Sequence, residues 1–243
     1  IDARTGRPTL SDKPVTSTAD AVAVGWVVDL KERIGADTTA VSLGPPAARE
    51  VLMNAMATGI DAALHVLADA PDRGDSLAVA RALAAAVRDE SFDILVAGTR
   101  SDDVATGQVG IQVAEVLGIP HLSGVQSVEG GDDGLRVQHD VDGFPEVTSI
   151  APPVMLILKE TEEGPTRHPS LRGMMQAKRK PFREVPAAVA METPLSWSEP
   201  LGQRVNAERI LIEGEPPEVA AARLAAWLRE HRLVGQARRE SAG

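Results

Sequence analysis

Thr38-Thr-Ala-Val-Ser-Leu-Gly-Pro-Pro46 is a short apolar run ended by a turn, and the fold follows from what stands on either side of it. Thr38 to Leu43 reads as a buried strand stopped at Gly44-Pro45-Pro46. Ala19 to Ile34 before it has helical spacing, and Ala47 to Thr58 after it reads as a helix closed by Gly59. The unit then recurs: Ala62 to Leu67 is a second strand, Asp75-Ser76 caps a helix with Leu77, Ala80, Leu83, Ala84 and Val87 on one face, and Phe92 to Gly98 is a third strand. Val109, Val113, Val116 and Leu117 again fall at helical spacing, with Gly118 placed to end the helix. This rhythm predicts an α/β fold whose mostly parallel sheet is covered on both faces.

The pattern changes further along. Asp142-Gly143 is a hairpin turn between strands at Val137 to Val141 and Glu146 to Ile150, and Val154 to Leu158 is another strand. Beyond Arg183 the composition shifts to Pro, Ala, Ser and Glu, until Pro216-Pro217 starts a last helix striped with Leu224, Trp227 and Leu228. The expected organisation is an α/β domain over 1–184 and an arm with a terminal helix over 185–243, packing on its own domain or clasping a partner. No solenoid-type repeat is visible.

Composition narrows the function. The chain has no cysteine, which removes disulfides, thiolate metal sites and cysteine nucleophiles supplied by this chain. A formal net charge of -10 argues against general nucleic-acid binding, which needs a broad Lys/Arg face. No apolar run reaches the roughly 18 residues of a membrane span and no signal pattern opens the chain, so the expectation is a cytoplasmic protein without membrane insertion.

In an open parallel sheet, ligands bind beyond the carboxyl ends of the strands. Three loops converge there: Ser42-Leu43-Gly44-Pro45, the segment after Leu67, and Gly98 to Gly110. In the last, Thr106, Gly107 and Gln108 stand at a helix start, where free N–H groups and the helix dipole favour a phosphate. Gly107 lets the backbone approach the ligand, Thr106 offers a hydroxyl and Gln108 an amide, whereas Asp103 suits a helix cap or a ribose contact. The loop matches neither the Walker A pattern nor Gly-x-Gly-x-x-Gly, and an ordinary capped helix also explains it. No catalytic constellation accompanies it: the histidines lack His-Glu-x-x-His spacing, and no Ser lies in a Gly-x-Ser-x-Gly elbow. A nucleotide site without such machinery reads as a carrier or binding subunit.

One segment stands apart. From Gly164 to Arg183 there is no acidic residue, while Arg167, Arg172, Lys178, Arg179, Lys180 and Arg183 are cationic and Leu171 is an apolar tip. On an acidic chain this reads as a docking finger, steered by charge and held by Leu171; a solvated basic helix face is the plainer reading. His168 beside Arg167 suits packing or a partner contact rather than proton transfer.

Arg167-His-Pro-Ser-Leu-Arg-Gly-Met-Met-Gln-Ala-Lys-Arg-Lys-Pro181 resembles the Arg-Tyr-Pro-Ser-Leu-x-x-Ile-Met-x-Ala-Lys-Lys-Lys-Pro signature of electron transfer flavoprotein beta subunits. Gly59-Ile-Asp61, Asp75-Ser-Leu77 and Val141-Asp-Gly143 are similar to further motifs of that family. The resemblance implies a three-layer α/β sandwich of adenine nucleotide alpha hydrolase-like type with a C-terminal arm. It implies an electron carrier without bond-making catalysis, paired with an alpha subunit that holds FAD, and AMP in this chain. Donor and acceptor would be a flavin dehydrogenase, such as an acyl-CoA dehydrogenase, and a quinone reductase or similar protein.

Carried over by motif, the nucleotide-contacting residues are Ser42, Gly44, Asp103, Thr106, Gly107, Gln108, Val109 and Gly110. The partner-binding residues are Arg167, His168, Leu171, Met174, Met175, Lys178 and Arg179. Departures accompany the match: Ser17-Thr-Ala-Asp20 stands for Asn-Pro-x-Asp, Thr161-Glu-Glu163 for Leu-Arg-Leu, and His168 for Tyr. The family's initial strand would precede Ile1. Thr106-Gly-Gln-Val-Gly110 is closer to members with a second FAD at this position, which bifurcate electrons, so FAD is the alternative to AMP. A pathway-dedicated member and a non-redox, nucleotide-binding regulatory homodimer are the other readings.

Overall fold

Ser17 starts helix α1 (Thr18–Ile34) by accepting a hydrogen bond from the Asp20 N–H, the capping geometry that a hydroxyl supplies at a helix start. A computed structural model of the chain describes residues 14–68, 75–102, 105–131, 134–159, 167–188 and 210–234. Helix α1 (Thr18–Ile34) ends at Gly35 in the left-handed region. Strand β1 (Thr39–Gly44), a short 3-10 turn (Pro46–Ala48), α2 (Arg49–Thr58), β2 (Ala62–Leu67), α3 (Ser76–Val87), β3 (Ile94–Ala97) and α4 (Val109–Leu117) follow in the alternation that the sequence predicts.

The sheet lies in two parts among the described residues. One is parallel, in the order β1-β2-β8, where β8 is Phe182–Pro186. The other has the order β3-β7-β4-β5-β6, with β4 (His121–Gly131), β5 (Gly134–Val141), β6 (Phe144–Ile150) and β7 (Val154–Leu158). The pairs β3–β7 and β7–β4 are parallel, and β4–β5–β6 is an antiparallel meander. All of β7 is buried, as a central parallel strand covered on both faces should be.

Two strands were not legible beforehand. In β4 the apolar residues are interrupted by Ser123, Gly124, Gln126 and Ser127, and the strand changes partner midway. Its first residues pair with β7 and its last with β5, with irregular register on both sides of Val125. Gly124 sits at the bend with φ 72°, and an added Cβ would stand 2.6 Å from the Asp140 carbonyl oxygen. Strand β8 is short and half polar, so its pairing with β2 decides it. It runs to Pro186, a position where an edge strand tolerates the missing donor.

The packing makes three layers. On one face, Ala23 and Leu30 of α1 meet Val125, Val137, Val154, Leu156 and Leu158, while Val28 of α1 packs with Ala55 of α2 and Ile60. On the other, α3 and α4 pack together through Ala80, Ala84 and Val113, and Ala114 meets Met155 and Ile157. Small side chains bring helices close to the sheet, in keeping with the scarcity of aromatics. The path β1–α2–β2 uses the first face and β2–α3–β3 the second, so the chain reverses face between β1 and β3. That is the topological switch point at which a ligand edge is expected.

The chain divides into two compact units, one spanning residues 10–199 and one of residues 1–9 with 200–243. In the second, α6 (Pro217–Glu230) has Trp227 stacked on His231 at a centroid distance of 4.2 Å. Among the described residues no helix is long and apolar enough to cross a membrane.

Candidate functional site

The loop after β3 is held from both sides. Asp20, in the first turn of α1, accepts from the Gly98 N–H at 3.0 Å, and Asp102 accepts from the Thr18 N–H at 2.8 Å. Gly98 is needed there, because a Cβ would stand 2.6 Å from the Ala19 backbone. Thus Ser17-Thr-Ala-Asp20 braces the ligand edge through its carboxylate and backbone. A small cleft at this point is lined by Thr18, Gly98, Thr99, Arg100 and Lys159. Lys159 also binds Asp140 at 2.7 Å, and this bond, followed by the Gly143 N–H, holds the Asp140 carboxyl below the usual carboxylate range.

Thr106 and Gln108 are exposed and Gly107 is half-buried, with Gly107 in the left-handed region at φ 64°. Gln108 occupies the N-cap position of α4 without a side-chain cap bond, and Ser76 at the start of α3 donates to its Oε1 at 3.0 Å. That bond joins the loops after β2 and β3 and leaves the Gln108 NH2 as a donor. Val109 turns its side chain into the α3–α4 core, so its ligand capacity is its backbone N–H. Gly110 faces the sheet: a Cβ would come within 3.1 Å of Met155 and 3.2 Å of Ile157. Its glycine permits helix–sheet packing under the loop. Asp103 and the segment after Ala68 lie outside the described residues.

Thr99 is the feature that the sequence left unmarked. Its buried Oγ1 has no hydrogen-bond partner among the described residues, and its carbonyl oxygen is 3.3 Å from where a Gly107 Cβ would be. A buried orphan hydroxyl is costly and invites a partner. Ser42 and Gly44 belong to β1, across the switch point; Ser42 pairs in register with buried His65, and Gly44 is pressed against Ala48.

The basic segment forms α5 (Leu171–Ala177), capped by Ser170, which accepts from the Gly173 N–H. Ala177 is buried against α2 with Leu52, Met56 and Ala57. Leu171 is 79% and Met175 71% exposed, and Met174 is 42% exposed beside a shallow apolar groove that includes Met53. Lys178, Arg179 and His168 are exposed. Arg167, Lys180 and Arg183 have intramolecular partners, while Arg172 is exposed. Arg167 binds Asp29 at 2.6 Å and Glu32 at 2.8 Å; the latter bond first, then Asp29, raises the guanidinium pKa further, and the Arg167 hydrogen bond holds Glu32 below its usual range. Lys180 donates to the Met56 and Ile60 carbonyls at 2.8 and 2.6 Å, with burial lowering its pKa, and Arg183 pairs with Glu90. Sequence alone gave these cations the same weight as the exposed ones.

Residues 12–190 match the electron transfer flavoprotein domain family. The chain is 34% identical over 211 residues to the electron transfer flavoprotein subunit beta of Syntrophomonas wolfei, covering 86% of this chain and 82% of that protein. It is 31% identical to the corresponding subunit of Thermoanaerobacterium thermosaccharolyticum, over 81% of this chain and 74% of the relative. The Bacillus subtilis subunit is also 31% identical, over 68% and 65%.

Proposed function

Because the chain belongs to the electron transfer flavoprotein beta-subunit family, we propose that it works as one half of a heterodimer, relaying electrons from a flavin dehydrogenase to a quinone reductase or similar acceptor. The alpha subunit would hold the FAD that carries the electrons. This chain would supply the partner-docking tip and a structural nucleotide, with no bond-making catalysis of its own and a place in the cytoplasm. The arm over 185–243 would pack on the alpha subunit.

The observation that carries the docking role is Leu171, 79% exposed on a helix fixed beneath it by buried Ala177. A large apolar side chain presented on a supported helix and flanked by Arg172, Lys178 and Arg179 fits an anchor with a cationic rim. Met174 and Met175 extend the apolar contact with adaptable side chains.

The nucleotide is AMP in this reading. Thr99, Thr106, Gly107, Gln108 and the first N–H groups of α4 would hold its phosphate, and the buried Thr99 hydroxyl supports that fit. AMP takes no part in electron transfer; its role here is to bind together the loops at the switch point. Releasing the bound ligands from purified heterodimer tests both points. The expected yield is one flavin and one AMP per dimer. Two flavins would replace AMP with FAD in this subunit, and a colourless homodimer without a flavin-bearing companion would end the carrier reading.

A further inference from the structure

Beside the docking tip, α2 and α5 enclose an open groove of about 440 Å³. Buried Ala177 lines its base, and Met53 of α2 and Met174 of α5 give it apolar walls. Methionine is unbranched and polarisable, so two of them on one groove suit an apolar side chain inserted from outside. Leu171 and Met174 stand three residues apart on α5, the spacing that puts neighbours on one helix face, so the exposed anchor and the groove form one continuous strip. The rim is unevenly charged. Arg49, fixed over the Phe182 ring at 3.8 Å, and Lys178 line it together with the carboxylate of Glu50. Arg172 and Arg179 add exposed cations on α5 and just after it.

We propose that the groove receives an acidic segment of the flavin dehydrogenase, with one apolar side chain entering between Met53 and Met174 while flanking carboxylates meet Lys178 and Arg49. This rests on the docking reading above and deepens it: the contact is reciprocal, with Leu171 inserted into the partner and a partner side chain inserted here. Energetic anchors tend to pair across an interface, and a groove next to an exposed anchor supplies the counterpart. Charge selects the occupant. A second copy meeting this face about a two-fold axis would set Lys178 and Arg179 against their own images, which disfavours it. A carboxylate-bearing segment meets complementary charge instead. Glu50 opposes it, but Glu50 is exposed, where water and salt screen its repulsion.

Methionine methyl signals of the labelled heterodimer test the groove directly. The probe is a blocked helical peptide carrying one leucine flanked by glutamates. It should shift the methyls of Met53 and Met174 and leave those of Met56 and Met155, which are 0% and 4% exposed, in place. Exchanging its leucine for serine should weaken binding about 10-fold, the scale for one apolar side chain losing its pocket, and exchanging its glutamates for lysines should abolish it. Ala47→Trp and, independently, Asn54→Trp fill the groove from exposed positions outside the core and leave Leu171 intact. Each should raise the KM of the dehydrogenase for the heterodimer about 10-fold with kcat unchanged. Unmoved methyls, or an unchanged KM in both variants, would overturn the groove; a KM still raised by Leu171→Ala would then leave the docking reading standing. Reduction by no dehydrogenase at all would end the carrier reading and this occupant together. Met53 and Met174 signals that move with protein concentration, or on adding the alpha subunit to the isolated chain, would give the groove to a second copy or to that subunit and overturn the proposal.

Discussion

Gly173 lies so close to Ala57 that a β-carbon added to it would stand 2.0 Å from the Ala57 carbonyl oxygen. Helix α5 therefore reaches α2 through a position that admits only hydrogen. Gly173→Ala should push the tip off its support at a cost of about 1–3 kcal/mol, the range for overpacking a tight contact. The check is limited trypsin digestion, which should cut at Arg172, Lys178 or Arg179 faster than in the parent, with nucleotide content unchanged.

Leu171→Ala removes the exposed anchor without touching the core. Reduction by the dehydrogenase at subsaturating protein should weaken by about 1–3 kcal/mol of lost transfer energy, while melting temperature stays the same. An unchanged rate would count against the anchor.

Neutralising Lys178 and Arg179 together should leave the anchor intact and flatten the dependence of association rate on ionic strength. Equal salt slopes for variant and parent would remove the steering role.

Thr99→Val separates ligand binding from stability. Without nucleotide, replacing a buried orphan hydroxyl by an isosteric methyl should be neutral or slightly stabilising; with AMP, affinity should drop by about 1 kcal/mol, the value of one hydrogen bond. Equal AMP affinity in calorimetry would remove Thr99 from the site.

Asp61 ties the end of α2 to the start of β1. It accepts from Lys31 and from the Thr38 N–H and Oγ1 at 3.1 and 2.9 Å. Burial alone would raise its pKa, but the Lys31 and Thr38 hydrogen bonds outweigh it and leave the folded value lowered. A depressed carboxylate contributes stability that is complete above its unfolded pKa of about 4 and is lost as pH falls through the folded value. Asp61→Asn should thus lower the melting temperature by roughly 2–4 °C near neutrality, for about 1 kcal/mol of lost bonding. The difference from the parent should shrink towards pH 3. A constant difference across that range would contradict the linkage.

Where local pattern and tertiary structure agreed, the chain was readable. Ala62 to Leu67 and Val154 to Leu158 are strands at the expected bounds, and Gly118 ends α4 in the left-handed region. Pairing decided what could not be read. The β4 strand alternates poorly because it serves two partners of opposite direction, and β8 has little apolar signal and depends on β2. At the candidate site, glycines and helix starts showed where a loop could approach a phosphate. They could not show that Gly110 faces the sheet, that Thr99 is left without a partner, or that Arg167 is spent on α1. Those facts depend on side-chain direction across elements distant in sequence.

The cations at the two ends of the tip are committed at home: Arg167 to α1, Lys180 to the close of α2, and Arg183 to Glu90. On the docking role proposed above, moorings and reading head are separate sets of residues. If the tip docks as proposed, a lineage could retarget it by altering the few positions around Leu171 and leave the mount untouched, so that drift in client choice would not cost foldability.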